Sequence, residues 1–178
     1  MTILLSGDQN EGKTTKLLRI YYELKEIGIP IFGFAASGIW DNDKKTGFNL
    51  LDLKTNQSML LATIFPHKDY LKLGRFFFNP KAMMHGNQIM SEMLTDRPHI
   101  IFIDEIGKFE LQGSVWHHSY QKLIKNPKQC VLTVVRTQLI EQIKKKYDLK
   151  NTVDYHLKTE DKIIINRLLN FHSIKGKN

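Results

Sequence analysis

The chain has 178 residues, 42% of them hydrophobic and 10% aromatic, which is enough to bury one sizeable core and predicts a single domain over residues 1–178 with its last few residues frayed. A lone cysteine, Cys130, excludes an internal disulfide; lying in the apolar run Cys130-Val131-Leu132-Thr133-Val134-Val135, it reads as a buried thiol in a reducing, cytoplasmic compartment. No stretch reaches the ~18 apolar residues of a membrane helix. Residues 1–6 lack the basic flank of a signal peptide, and the net charge of +8 raises nucleic acid as a partner without favouring it, because Lys144-Lys145-Lys146 is the one tight basic cluster.

In chain order, residues 1–6 form a short apolar run that stops at Gly7 and reads as a buried first strand. Over residues 13–27 the apolar positions Leu17, Ile20, Tyr21, Leu24 and Ile27 recur every three or four residues, which marks one helical face, and Gly28 ends it. Residues 31–34 make a second strand, and Asp41-Asn42-Asp43-Lys44-Lys45-Thr46-Gly47 is polar enough to predict an exposed loop. Residues 48–53 and 58–63 flank Lys54-Thr55-Asn56-Gln57 as an antiparallel hairpin insertion around residues 48–63, and residues 75–78 add a short strand. Asn79-Pro80 supplies a cap and a first-turn proline for a helix to about residue 94. Residues 99–103 are an apolar strand that ends in Asp104-Glu105, followed by a helix over 114–124, a strand over 129–135, a helix over 137–147, a strand over 153–157 and a helix over 160–171. Such alternation predicts an α/β fold with a mostly parallel sheet flanked by helices in three layers.

Gly7-Asp8-Gln9-Asn10-Glu11-Gly12-Lys13-Thr14 fits G-x-x-x-x-G-K-[ST] between a predicted strand and a predicted helix, the setting of a phosphate-binding loop. The chemistry needs these types. Gly7 and Gly12 let the backbone wrap phosphates, loop amides and the helix N-terminus face the negative charge, Lys13 reaches the β and γ oxygens, and the Thr14 hydroxyl ligates Mg2+. Asp8 and Glu11 are acidic for such a cradle and are expected to point to solvent. Asp104, at the C-terminal end of its strand, is the second predicted Mg2+ ligand, and Glu105 is placed to orient or deprotonate an attacking water. Arg75, Arg136 and Lys108 are candidate cations for the γ-phosphate, with Lys108 favoured by its closeness to Glu105. Glu110 either orients water or caps the following helix. His85, His117 and His118 lack partners at zinc spacing, so no transition metal is expected. Trp40, Tyr70 and Phe76-Phe77-Phe78 offer either core or a base-stacking face.

Asp104-Glu105-Ile106-Gly107-Lys108-Phe109-Glu110-Leu111, taken with Gly12-Lys13-Thr14-Thr15, resembles the THEP1-type nucleoside triphosphatase family, whose second motif reads D-E-I-G-x-M-E-L and here carries Phe109 in place of methionine. Gly33-Phe34, Gly47-Phe48-Asn49-Leu50-Leu51-Asp52-Leu53 and Leu73-Gly74-Arg75-Phe76 resemble further family segments in the same order, so the likeness covers most of the chain. The resemblance implies a P-loop NTPase fold and a magnesium-dependent enzyme that hydrolyses nucleoside triphosphates, ATP and GTP among them, to diphosphate and phosphate with loose base selectivity. It puts residues 7–15 on phosphate and Asp104, Glu105, Ile106, Gly107 and Lys108 along the nucleotide. The chain departs from the pattern at Lys45-Thr46, where the family has an arginine before Gly-Phe, and at Val135-Arg136, where it has a histidine. A nucleotide or small-molecule kinase and an NTP-switched nucleic-acid-binding protein stay open as alternatives, although no arginine-rich lid is evident.

Overall fold

Burial alternates along the central strands, and the alternation sets the layering. The computed structural model describes residues 1–97 and 99–175, apart from the side chain of Lys175, so the fraying expected of the last residues lies outside the described residues. Strand β1 (Thr2–Gly7) is buried throughout and stands between β8 (Cys130–Arg136) and β9 (Thr152–His156), parallel to both. β8 also pairs in parallel with β7 (Ile100–Ile103), and β7 with β2 (Ile31–Asp41). Ile3, Leu5, Phe102 and Leu132 face α1 (Lys13–Glu26) and α6 (Asp161–Lys175), whose Leu17, Ile20, Leu24, Ile164 and Leu168 close one core. Leu4, Ile101, Ile103 and Val131 face the opposite way, against Met90 of α2 (Pro80–Glu92), Tyr120 and Leu123 of α4 (His117–Ile124), and Ile143 of α5 (Ile140–Tyr147). Helices therefore cover the sheet on both faces, as a buried parallel sheet requires.

Past β2 the sheet turns antiparallel through β3 (Lys44–Asp52), β4 (Ser58–Thr63), β6 (Phe76–Phe78) and β5 (Leu71–Leu73), giving the order β5-β6-β4-β3-β2-β7-β8-β1-β9. The mostly parallel sheet predicted from sequence is thus corrected to a mixed one: of the nine strands among the described residues, β2, β7, β8, β1 and β9 form the parallel part. Short turns cannot carry a chain back to start a parallel neighbour, so the segments joined by turns pair antiparallel. The hairpin expected around residues 48–63 exists as β3–β4, but it belongs to a wing that begins at β2 and reaches Phe78. The predicted loop at 41–47 is instead a two-residue turn, with Asn42 and Asp43 at φ 44° and 61°, the double positive φ that matches the twist of hairpin strands.

Asn79 caps α2 by accepting the Lys81 N–H at 3.0 Å, with Pro80 in the first turn. The helix predicted over 114–124 begins only at His117, because Val115 sits at φ 52° and a separate short helix, α3 (Lys108–Leu111), precedes it. Among the described residues no helix is long and apolar enough to cross a membrane.

Candidate active site

The parallel strands deliver their C-terminal ends to one edge. Gly7 lies opposite Arg136, while Ile103 lies opposite both Thr133 and Phe34, so the loop after β1, the end of β8, Asp104 after β7 and Ala36 in β2 stand side by side. Sheets of this kind bind ligands at that edge. In the loop, Asn10 and Gly12 have φ 65° and 93°; a Cβ on Gly12 would meet nothing within 4 Å, so the backbone conformation itself demands glycine there. α1 starts at Lys13, which is 6% exposed and donates its Nζ to the Asp8 carbonyl at 2.6 Å. Asp8 and Glu11 are exposed as expected, yet the Glu11 carboxylate folds back to accept the Asp8 N–H at 2.6 Å. Loop amides that attract an oxyanion have found one in the chain itself. Buried Lys16 donates to the Thr159 carbonyl and pairs with Asp161, which Arg19 also holds, so α1 is tied to the segment that opens α6.

Asp104 is 3% exposed, accepts the Ala36 N–H at 3.3 Å, and lines the cavity with Thr14, whose hydroxyl favours its charged form. Burial, reinforced by the like charge of Glu105, pushes its carboxyl up to about 7 against the opposing pull of Thr14, Ala36 and Lys13. Two hard oxygen donors meet here, and the buried carboxylate is under-compensated for its charge, which fits a magnesium ion completed by phosphate and water oxygens. Glu105 is held by Arg136, whose Nε and Nη2 lie 3.2 and 3.1 Å from the same Oε1, while Arg136 Nη1 donates to Gln9 Oε1 at 3.3 Å. Glu110 is buried and accepts the Gly107 N–H at 2.8 Å, which caps α3, the short helix that contains it, and not the following helix expected from the sequence; burial raises its pKa to about 7.

These groups open on a cavity of about 720 Å3. Gln9, Asn10, Gly12, Lys13, Thr14, Thr15, Asp104, Glu105, Gly107 and Lys108 line it, with Arg75 and Arg136; of the predicted site residues, Gly7, Asp8, Glu11 and Ile106 do not. Ile106 packs in the core, and its backbone N–H donates to the Val134 carbonyl at 3.0 Å. The cavity also has apolar lining, Leu61, Leu73, Phe76, Phe78, Phe109 and Trp116 among it. Tyr70 packs against His67 with ring centroids 4.1 Å apart. Lys45 was not among the expected site residues: it hangs over the loop from the β2–β3 hairpin, donates to Asn10 Oδ1 at 3.0 Å, and sits 4.9 and 5.1 Å from the Trp40 and Phe48 rings. Burial lowers its pKa, Arg136 and Lys13 push the same way, and Glu105 and Asp104 oppose them. The departure from the family pattern at Lys45-Thr46 was the one sign of it. Arg75 stacks on Phe76 and reaches the Lys45 carbonyl at 3.4 Å.

A glycine loop between a buried strand and a helix, facing a buried aspartate and a glutamate at the end of a parallel strand, defines a P-loop nucleotide-binding protein of the α/β class. A family model described as "NTPase" matches residues 2–167. The nucleoside-triphosphatase THEP1 of Methanocaldococcus jannaschii is 32% identical over 137 residues, which cover 76% of this chain and 79% of that protein. That of Thermotoga sp. strain RQ2 is 27% identical over 84% of this chain and 83% of its own length. The crystal structure of THEP1 from Aquifex aeolicus superposes with a TM-score of 0.71 at 22% identity, over 96% of this chain and 98% of that one, a likeness of fold. The chain belongs to the THEP1-type nucleoside triphosphatase family, a family of hydrolases that act on nucleoside triphosphates.

Proposed function

We propose that the chain is a magnesium-dependent triphosphatase that converts nucleoside triphosphates, ATP and GTP among them, to diphosphate and phosphate. The observation that carries the reading is that Lys13 and Thr14 of the glycine loop line one cavity with Asp104 and Glu105. Loop amides and Lys13 bind the β- and γ-phosphates. Thr14 and Asp104 would hold a magnesium ion, which would supply charge neutralisation at the phosphate oxygens. Glu105 orients the attacking water. The water oxygen bonds to the γ-phosphorus as the bond to the bridging oxygen breaks, the bond's electron pair stays on the diphosphate, and the water's proton passes through Glu105 to solvent.

Family membership favours water over an acceptor hydroxyl, and so hydrolysis over a kinase reaction. Loose base selectivity is supported by the aromatic and aliphatic residues in the cavity lining, because ring faces distinguish bases less than hydrogen-bond partners do. A buried thiol at Cys130 suits a reducing cytoplasm. Phosphate release from ATP, GTP, CTP and UTP, with magnesium and with EDTA, tests the reading: comparable release from all four, abolished by EDTA and restored by magnesium, is expected. Release indifferent to EDTA, or transfer to an added acceptor in place of free phosphate, rejects it.

A further inference from the structure

We propose that Arg136 is a transition-state contact supplied by the chain itself, held in reserve on Glu105 until the γ-phosphate of a bound triphosphate draws it away. The proposal rests on the hydrolase reading and adds to it a residue that lies where the family pattern has a histidine.

Position is the first argument. Arg136 ends β8, the strand between β1 and β7, directly opposite Gly7. Its guanidinium bridges the two halves of the site, donating to Gln9 of the phosphate loop at 3.3 Å and to Glu105 at 3.2 Å. The γ-phosphate of a loop-bound triphosphate comes to lie in that gap, because Lys13 and Thr14 on one side and Asp104 on the other fix its surroundings.

The neighbouring cations are committed differently. Lys13 serves the loop, Lys45 is wedged between Trp40 and Phe48 and bonded to Asn10, and Arg75 is stacked on Phe76. Lys108, the cation that the sequence favours, lines the same cavity, but Arg136 alone of these five is bonded to the carboxylate that hydrolysis needs. Its side chain is 27% exposed and that of Glu105 32%, and a partly exposed pair of this kind contributes little. A phosphoryl group that gathers charge is the stronger partner for a planar fork of N–H donors. Exchange then does two things together: it places the guanidinium on the γ oxygens and leaves both Glu105 oxygens free for water. A diphosphate has no γ-phosphate to draw the arginine, so the Arg136–Glu105 pair stays closed on the product.

The test compares wild type, Arg136→Ala, Arg136→Lys and Glu105→Gln. Affinity is measured for a fluorescent nucleoside diphosphate with magnesium, alone and with fluoroaluminate as a mimic of the transferring phosphoryl group, beside kcat. Arg136→Ala is expected to bind diphosphate as wild type does, and to lose affinity for the fluoroaluminate complex and kcat in parallel, each on the order of 10³-fold. Arg136→Lys recovers little, since an ammonium cannot make the paired contact. Wild-type affinity for the fluoroaluminate complex in Arg136→Ala, whether kcat falls or holds, overturns the proposal: a fall in kcat alone means that Arg136 only positions Glu105. Should Arg136→Ala fail to fold by circular dichroism, Arg136→Gln takes the same measurements. Glu105→Gln separates the two readings, because wild-type hydrolysis by that variant sinks the role of Glu105 while the fluoroaluminate affinities still judge Arg136 by themselves.

Discussion

Glu110 sits at the turn into α3 with its carboxyl closed off from water, and its pKa climbs from an ordinary 4.5 to about 7 even though backbone N–H groups donate to it. The folded protein therefore holds a proton that the unfolded chain releases, and stability falls as the pH rises from about 4.5 to about 7. Glu110→Gln keeps an acceptor for the Gly107 N–H and removes the titration. Relative to wild type, the variant is expected to gain stability between pH 5 and pH 8 by up to about 3 kcal/mol, since a tenfold difference in proton affinity between the folded and unfolded chain is worth ~1.4 kcal/mol. Urea unfolding at the two pH values measures it, and an unchanged difference contradicts the account. What could be read from the chain at this scale was whatever is contiguous: Gly12-Lys13-Thr14 and Asp104-Glu105 carry their chemistry in adjacent residues. Lys45 with Asn10, Arg136 with Glu105 and Arg136 with Gln9 are separated by 35, 31 and 127 residues, and pairing at such distance is decided by the sheet, not by local pattern.

Strand β2 approaches β7 closely enough that only a glycine fits at position 33. Gly33 has φ 102°, and a Cβ there would stand 2.0 Å from the Phe102 carbonyl oxygen. Gly33→Ala is expected to cost several kcal/mol, on the order of 3–5, whereas Gly28→Ala, at φ 79° with nothing within 4 Å, should cost only ~1. Equal losses in denaturant unfolding would contradict the close approach. The strand β8 makes a second prediction. Cys130 is fully buried and its thiol is pushed up to about 12 by burial, so the native protein should resist disulfide reagents that modify it promptly once unfolded. A native thiol that reacts as fast as the unfolded one would refute that. β1, α1 and β7 were legible because each is a single apolar run or a single 3.6-residue stripe. β5, at three residues, is too short to carry a pattern, and the polar stretch at 41–47 hides a hairpin turn because Asn and Asp favour loops and tight turns alike.

The whole molecule is a sheet of two regimes. Its parallel half lines up the phosphate loop, Arg136 and Asp104-Glu105 along one edge, and its antiparallel wing swings the β2–β3 hairpin across that edge, so the cavity forms where the two meet. An alternating order of strands and helices made the parallel half and its helical cover predictable, while the extent of the wing depends on turn lengths that composition does not fix. In the proposed reaction the loop binds the nucleotide and the acidic motif directs water at its γ-phosphate. The most direct test is phosphate release by Glu105→Gln and Lys13→Ala, with nucleotide affinity measured on the same preparations. Glu105→Gln is expected to keep its affinity and lose turnover by about 10²–10⁴-fold, whereas Lys13→Ala loses both; wild-type turnover by a folded Glu105→Gln protein would contradict the claim.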